Sequence, residues 1–197
     1  MCGRYLLHSD IGVLIQRYGI LKGWVEDGWQ SEIFPSQPAP VVVNRKFKEL
    51  YPLKWGFAPS YAKRLIINAR VETVDKKHTF KRSFAERRCI VPANAFFEWK
   101  KEGGTSIKYE FHLKKQPIFS LAGIYDIFTD KAGKRYTAFA ILTTKANPLV
   151  AQIHNRMPVI LPADKEDLWL DEGVQDLAEL RDCIGPFDKD LMDMEEV

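Results

Sequence analysis

The sequence predicts an α+β fold, with a strand-rich, curled or barrel-like sheet body and helices outside it. Short runs rich in β-branched and aromatic residues, bounded by Gly, Pro or charged residues, fill the middle of the chain. Runs with the helical spacing of apolar residues lie closer to the two ends. The 197 residues, of which 46% are hydrophobic, are enough for one domain with its own core.

The first predicted element is a helix that begins after Ser9 and Asp10, because Asp is a good N-cap and apolar residues follow at helical spacing. Gly19 or Gly23 would end this helix. The stretch 24–40, which contains several Pro and Gly residues, predicts a loop. Other helices are predicted within 72–87, at 148–153, and in the acidic segments 164–170 and 175–182.

Strands are predicted wherever β-branched and aromatic residues cluster between turn signals. The sequence Asp130-Lys131-Ala132-Gly133 indicates a hairpin turn, so the two runs that flank it should pair as antiparallel strands. The predicted strands cover residues 41–43, 50–57, 65–67, 89–91, 96–99, 107–113, 118–128 and 136–144.

Charge is distributed unevenly along the chain. Residues 1–163 carry 26 Lys and Arg against 13 Asp and Glu, whereas residues 164–197 carry 3 against 13. A basic body favours a polyanionic partner, although dispersed lysines can also simply solvate a surface. The acidic end is either a solvated helical face or a side from which nucleic acid is repelled.

Several protein classes are excluded by composition. The longest stretch without a charged residue, 33–44, contains three prolines and is too short to span a bilayer, so no membrane association is expected. The start of the chain lacks the apolar region of a signal peptide. Its three cysteines form no C-x-x-C pair, which argues against a disulfide framework or a metal ribbon. We therefore expect a cytoplasmic protein without a metal or cofactor.

Cys2 is the first candidate for chemistry because it follows Met1 directly. Removal of Met1 would leave a 1,2-aminothiol, whose amine (pKa about 8) and thiol (pKa about 8.5) are both partly reactive near neutral pH. Such a group condenses with an aldehyde to an imine that the thiol closes into a thiazolidine. While Met1 is attached, the Cys2 nitrogen is part of a peptide bond. The alternative is a small buried residue in a first strand.

Asn68 and Arg70 form the second candidate, at the end of an apolar strand. Residues i and i+2 of a strand share a face, so an amide and a guanidinium would face one site together. Arginine suits phosphate oxygens because its fork donates two hydrogen bonds. The alternative is a helix cap and a surface ion pair between Arg70 and Glu72.

Two proton-transfer candidates follow. Glu98 lies among large aromatic residues, where burial would raise its pKa and make it a general acid or base. His154, followed two residues later by Arg156 and then by an apolar strand, is the side chain best matched to proton transfer near pH 7. The alternatives are a carboxylate facing outward from an edge strand and a structural histidine in a turn.

In combination, these motifs resemble the SRAP family, the SOS-response-associated peptidases. The resemblance runs from residue 2 to about residue 161. Its matching motifs are Cys2-Gly3-Arg4-Tyr5, Trp55-Gly56-Phe57-Ala58-Pro59, Asn68-Ala69-Arg70-Val71-Glu72-Thr73, Phe97-Glu98-Trp99 and His154-Asn155-Arg156-Met157-Pro158.

The resemblance implies a sensor of abasic sites in single-stranded DNA that bonds covalently to the ring-opened sugar through Cys2. The crosslink would shield the lesion for error-free repair. Met1 would be removed first, by autoproteolysis or by an aminopeptidase. Asn68, Glu98 and His154 match the family's other catalytic positions. An abasic-site lyase activity could accompany the crosslinking.

The resemblance also implies how the DNA is held and how the chain is organised. It implies one SRAP domain over residues 1–197, either a short member or a chain without the last C-terminal segment of many relatives. The protein would be a monomer that associates with the nucleoid when bound to DNA. The implied DNA contacts are phosphate binding by Arg4 and Arg70, base support or stacking by Trp55 and Tyr61, and further contacts by Thr143 and Arg156.

Other functions remain open at this point. Cys2, His154 and Asn68 could form the nucleophile, base and orienting group of a cysteine peptidase that acts in trans. A non-covalent reader of modified bases would bind DNA without needing the thiol. A protein that is mainly an abasic-site lyase would need only the amine.

Overall fold

The computed structural model describes residues 2–23, 29–174 and 176–197, and it confirms the α+β class. Outside the described residues lie Met1, residues 24–28 of the predicted loop 24–40, and Gln175, where a helix is predicted to start. Within the described part of the chain, no helix is long and apolar enough to cross a membrane.

Two sheets and a few short helices make up the fold. The helices are α1 (Ile11–Tyr18), α2 (His78–Glu86), α3 (Glu166–Leu170) and α4 (Leu177–Asp182), with 3-10 turns at Val150–Gln152, Ala163–Lys165 and Lys189–Leu191. The strands are β1 (Tyr5–Leu6), β2 (Lys22–Gly23), β3 (Glu32–Ile33), β4 (Pro38–Asn44), β5 (Lys48–Trp55), β6 (Asn68–Arg70), β7 (Arg88–Ala93), β8 (Ala95–Glu102), β9 (Thr105–Leu113), β10 (Phe119–Thr129), β11 (Arg135–Lys145), β12 (Arg156–Pro158), β13 (Ile160–Leu161) and β14 (Met192–Glu196).

The larger sheet closes on itself. Strands β11, β10, β7, β4 and β5 pair antiparallel in that order, and β5 returns to pair parallel with β11. Gly123 on β10 lies opposite Cys89 on β7, and a Cβ at Gly123 would come within 2.8 Å of the Cys89 sulfur. Only glycine allows the two strands to approach here. The predicted barrel-like body is confirmed as a closed five-stranded barrel.

The smaller sheet has the strand order β14-β9-β8-β1-β3. Tyr5 on β1 pairs with Phe96 on β8, and both side chains are fully buried. Because side chains alternate along a strand, Glu98 lies on the same face as Phe96, whereas Phe97 and Trp99 lie on the other face. This register turns the carboxyl group of Glu98 towards the interior.

The predicted elements are largely present, with local differences. Helix α1 starts where predicted, because the Asp10 side chain accepts a hydrogen bond from the backbone N–H of Val13, and Gly19 ends it at a φ of 62°. The strand predicted at 65–67 is wrong by three residues, since the strand is β6. The loop prediction is wrong for Pro38–Pro40, which belong to β4, and for β3.

Arg88, at the start of β7, is a fully buried cation that joins the acidic end of the chain to the barrel. Its Nε donates to the Trp169 carbonyl at 2.7 Å, and its two terminal nitrogens donate to four other backbone carbonyls. The acceptors on α2 are Phe84 and Ala85, and those beyond α3 are Asp171 and Val174. Burial lowers the pKa of this guanidinium. All five hydrogen bonds that this guanidinium donates are nevertheless accepted by main-chain carbonyl oxygens.

Candidate functional site

The four predicted catalytic residues come from four separate segments, and the fold brings them together. Cys2 precedes β1, Asn68 begins β6, Glu98 lies on β8, and His154 lies between the 3-10 turn at Val150–Gln152 and β12. Direct contacts link Cys2 to Asn68 and His154 to Glu98. The negative charge of Glu98 also acts on the Cys2 thiol.

Asn68 holds the start of the chain in place. Its Nδ2 donates to the Cys2 carbonyl oxygen at 2.9 Å. Its position is fixed from both sides, because β6 pairs in parallel with β11 and the indole Nε1 of Trp55 donates to the Ile67 carbonyl at 3.0 Å. The Oδ1 atom of Asn68 is buried and accepts no hydrogen bond from the described residues. That oxygen is therefore available to a donor on a substrate.

The Cys2 thiol is kept neutral by its surroundings. The residue is fully buried, and its Sγ lies 3.8 Å from the Arg4 carbonyl oxygen. Burial raises the pKa of this thiol well above its ordinary value, and the charge of Glu98 raises it further. The sulfur of Cys2 is therefore a thiol rather than a thiolate in this state.

Glu98 is a buried carboxyl group that lies beside His154. Its side chain is 4% exposed, and burial raises its pKa, while the nearby charge of His154 opposes that shift. A buried carboxyl group with a raised pKa is a candidate general acid or base.

The Nδ1 atom of His154 contacts both the backbone of Arg156 and the carboxyl group of Glu98. The backbone N–H of Arg156 donates to His154 Nδ1 at 3.0 Å, and the same Nδ1 lies 3.9 Å from a carboxylate oxygen of Glu98. Nδ1 also lies 3.2 Å from the carbonyl oxygen of Arg156, so the contacts with Arg156 suit either neutral tautomer. His154 is thereby held beside Glu98, where an imidazole can take part in proton transfer.

The predicted phosphate-binding arginines have different partners. Arg70 is exposed at the end of β6, and its guanidinium makes no hydrogen bond or ion pair with the described residues. Arg4 is partly exposed and pairs with Glu32 at 3.2 Å. The alternative of an Arg70–Glu72 ion pair is wrong, because Glu72 binds Arg156 through two hydrogen bonds of 2.6 and 3.0 Å.

Two of the predicted DNA contacts are corrected by burial. Trp55 is fully buried and stacks on Phe139 at a ring-centroid distance of 6.2 Å, so its ring cannot stack on a base. It supports the site from inside the barrel instead. Thr143 is also fully buried, and its carbonyl accepts a hydrogen bond from Arg156 at 2.6 Å. Tyr61, in contrast, is 63% exposed and hydrogen-bonds Thr79 at 2.7 Å.

Sequence reasoning missed the surroundings of Arg4. Its guanidinium carbon lies 4.2 Å from the ring centre of Phe34 and 5.0 Å from that of Trp99. Lys108 shares the carboxylate of Glu32 with Arg4. No local sequence motif predicts that Arg4, Glu32 and Lys108 lie together with these rings, because the residues come from β3, β8, β9 and the segments beside them. Only the strand order of the smaller sheet brings them together.

One group of side chains among the described residues has the composition of a metal site. Glu110 and His112 on β9 and Glu195 on β14 have potential ligand atoms within 4.8 Å of one another. Glu195 is exposed and the other two are half-buried. None of the three is a predicted site residue, and this cluster alone does not define a metal centre.

Comparison with known proteins matches the whole chain. The family model described as SOS response associated peptidase (SRAP) matches residues 1–197. The abasic site processing protein YoqW of Bacillus subtilis is 34% identical over an alignment that covers 100% of this chain and 92% of YoqW. The abasic site processing protein HMCES of Rattus norvegicus is 26% identical, over 78% of this chain and 56% of HMCES.

Solved structures share the fold. A crystal structure of a protein from Bacteroides thetaiotaomicron superposes with a TM-score of 0.88 at 29% identity, covering 100% of this chain and 92% of that one. A protein from Bordetella bronchiseptica superposes with a TM-score of 0.86 at 23% identity, covering 100% of this chain and 99% of that one. The latter likeness concerns the fold alone.

Proposed function

This chain belongs to the SOS response associated peptidase family, and from that premise we propose that it processes abasic sites in single-stranded DNA by bonding to them through Cys2. Similarity to proteins named as abasic site processing proteins supports the role. The observation that carries the proposal is that Asn68 contacts Cys2 directly, while Glu98, which lies 3.9 Å from His154, is near enough for its charge to act on the Cys2 thiol. An aldehyde substrate explains why a terminal amine and a thiol should share one residue.

The proposed chemistry has two steps once Met1 has been removed. The Cys2 amine attacks the aldehyde carbon of the ring-opened sugar, and loss of one water gives an imine. The thiol then adds across the C=N bond, so that a C–S bond forms and the thiol proton passes to the nitrogen. The product is a thiazolidine, and no oxidant or reductant is needed.

The neighbouring groups have separate parts in this proposal. Glu98 removes a proton from the Cys2 amine and returns it during ring closure, which suits a carboxyl group whose pKa is raised by burial. His154 donates a proton to the ring oxygen of the sugar as it opens, or to a 3′ phosphate if that group leaves. Asn68 orients the start of the chain, and its free Oδ1 accepts from a sugar hydroxyl.

DNA binding is assigned to the exposed part of the basic body. Arg70 is the best phosphate contact, because its guanidinium is exposed and forms no ion pair with the described residues. Tyr61 offers an exposed ring for stacking. Arg4 contributes to phosphate binding in competition with its own carboxylate partner.

The test is to mix Met1-free protein with single-stranded DNA that carries one abasic site and to look for a band that resists SDS and heat. Cys2→Ala and a form that retains Met1 should give no stable band, whereas Cys183→Ala, a matched change at another buried cysteine, should behave like the wild type. Cys2→Ser should give only an imine that borohydride can trap. A stable adduct at the wild-type level from Cys2→Ala would refute thiazolidine formation.

The same samples separate the competing functions. Turnover of peptide substrates that depends on Cys2 would support a peptidase acting in trans. Strand cleavage without a stable adduct, and with no loss in Cys2→Ser, would support a lyase. Equal affinity of wild type and Cys2→Ser for every DNA, with no covalent product, would support a non-covalent reader.

A further inference from the structure

Beside Cys2, one carboxylate holds two cations on the surface of the smaller sheet. The Oε1 atom of Glu32 lies 3.2 Å from a terminal nitrogen of Arg4 and 2.9 Å from the Nζ of Lys108. The three side chains are each between a quarter and a third exposed. Glu32 pairs across β3 and β1 with Leu6, which places the carboxylate within reach of both cations. Arg4 is two residues from the proposed nucleophile.

The two cations are held by aromatic rings as well as by Glu32. The Arg4 guanidinium lies between Phe34 and Trp99, at 4.2 and 5.0 Å from their ring centres. The Lys108 ammonium lies 3.8 Å from the ring centre of Phe97. Cation–π contacts fix a cation without neutralising it. Both positive charges would therefore stay in place if the carboxylate were removed.

Glu32 occupies the place of an anionic ligand. Burial tends to raise its pKa, but hydrogen bonds and charge from Lys108 and Arg4 hold the pKa below its ordinary value, so the group is ionised at neutral pH. A DNA phosphate that approached these cations would compete with this carboxylate for the same donors. The negative charges of the phosphate and of the Glu32 carboxylate would also repel each other.

We propose that Glu32 is a specificity-determining residue that weakens phosphate binding at Arg4 and Lys108, so that strands without a lesion dissociate and only an aldehyde-bearing strand is retained, through its bond to Cys2. The proposal rests on the proposed function. It gives the resident carboxylate a role in selecting between damaged and intact DNA. Glu32 acts on the bound strand and takes no part in the bond-forming steps.

The test compares Glu32→Gln with wild type for binding to a single strand that contains no abasic site, measured by fluorescence anisotropy across salt concentrations. The variant should gain one phosphate contact, and the slope of log affinity against log salt should steepen by about 0.7. Because of this difference in slope, the affinity of Glu32→Gln should fall by about 2.6-fold more than that of wild type when the salt is raised from about 50 mM to about 200 mM. The preference for abasic over intact strands should fall.

Glu102→Gln is the matched control, because it removes the same charge from an exposed site on β8 whose partner is Lys100. Equal changes in the two variants would show that only net charge matters, and would overturn the proposal. A slope that stays constant or becomes shallower in Glu32→Gln would also overturn it.

A second probe makes the result independent of DNA processing. Inorganic phosphate alone can be titrated against the Arg4 side-chain signal in 15N NMR spectra. Glu32→Gln should bind phosphate several-fold more tightly than wild type, and Glu102→Gln should not. Failure of wild type to form an adduct would refute the proposed function, whereas failure of Glu32→Gln to bind phosphate more tightly would refute the role of Glu32.

Discussion

Glu72→Gln removes the charge from an ion pair that joins the turn after β6 to β12. Glu72 accepts two hydrogen bonds from Arg156, at 2.6 and 3.0 Å, and Arg156 also donates to the Thr143 carbonyl at 2.6 Å. The Arg156 side chain is 11% exposed and that of Glu72 is 41% exposed. The substitution would leave a largely buried guanidinium without its counter-charge.

The expected loss of stability lies between two limits. Exposed ion pairs contribute about 0–1 kcal/mol, and breaking a buried pair costs about 3–5 kcal/mol. Because water reaches Glu72 but hardly reaches Arg156, we expect the free energy of unfolding to fall by about 1–2 kcal/mol at pH 7. For a chain of this size the midpoint of thermal unfolding should fall by about 2–8 °C.

The loss should depend on pH in a defined direction. The hydrogen bonds from Arg156 hold the pKa of Glu72 below its ordinary value. A carboxyl group with a lowered pKa in the folded state stabilises the protein fully above its unfolded pKa, and that contribution disappears as the pH falls through the folded pKa. The difference between wild type and Glu72→Gln should therefore be full above about pH 5 and shrink at lower pH.

Urea unfolding at pH 7 and at a series of lower pH values measures both effects. Glu86→Gln is the control, because Glu86 forms an exposed i,i+4 pair with Arg82 at 2.9 Å. Its loss should cost no more than about 0.5 kcal/mol. If Glu72→Gln costs no more than this control, or if its cost is the same at every pH, the reasoning about the buried guanidinium is refuted.

Three further predictions concern the site. Arg70→Ala should weaken binding of intact single strands and reduce the salt slope by about 0.7, whereas Arg135→Ala, at the exposed start of β11, should keep the slope. An unchanged slope in Arg70→Ala would make Arg70 structural. In single-turnover crosslinking, Glu98→Gln should slow both adduct formation and its reversal by about 10²–10⁴-fold. His154→Ala should slow adduct formation on closed-ring abasic sites only. A variant that reacts at the wild-type rate would refute the role proposed for that residue. Trp55→Phe should lower stability by about 1 kcal/mol in urea unfolding without changing the salt slope; a shallower slope would place the indole on DNA.

Local signals in the sequence were sufficient for elements that depend on neighbouring residues. The Asp10 cap, the apolar spacing and Gly19 determine α1, and the turn at Asp130 predicts the β10–β11 hairpin. Local signals were insufficient where the burial of a side chain depends on pairing between strands that are far apart in the sequence. Trp55 is buried because β5 closes the barrel against β11, and no local pattern in β5 reveals that closure.

The candidate site shows the same division. Strand alternation predicts that Asn68 and Arg70 share a face, and both lie on β6, which begins three residues later than the predicted strand. The alternative of an ion pair between Arg70 and Glu72 rests on proximity in sequence, whereas the partner of Glu72 in the structure is Arg156, 84 positions away. Ion pairs between remote segments depend on strand order, which local charge patterns do not contain.

The anchoring of Arg88 has a consequence for how this sequence can vary. All five of its acceptors are main-chain carbonyls, which any amino acid supplies. The hydrogen bonds to Asp171 and Val174 can therefore persist when those two side chains change, whereas Trp169 is fully buried and its indole also donates to the Cys89 carbonyl at 2.9 Å. Position 88 has no such freedom, because lysine offers a single nitrogen with three donors and cannot reach all five oxygens. Sequence drift in the acidic segment is thus compatible with a fixed attachment to the barrel, so long as this one arginine is retained.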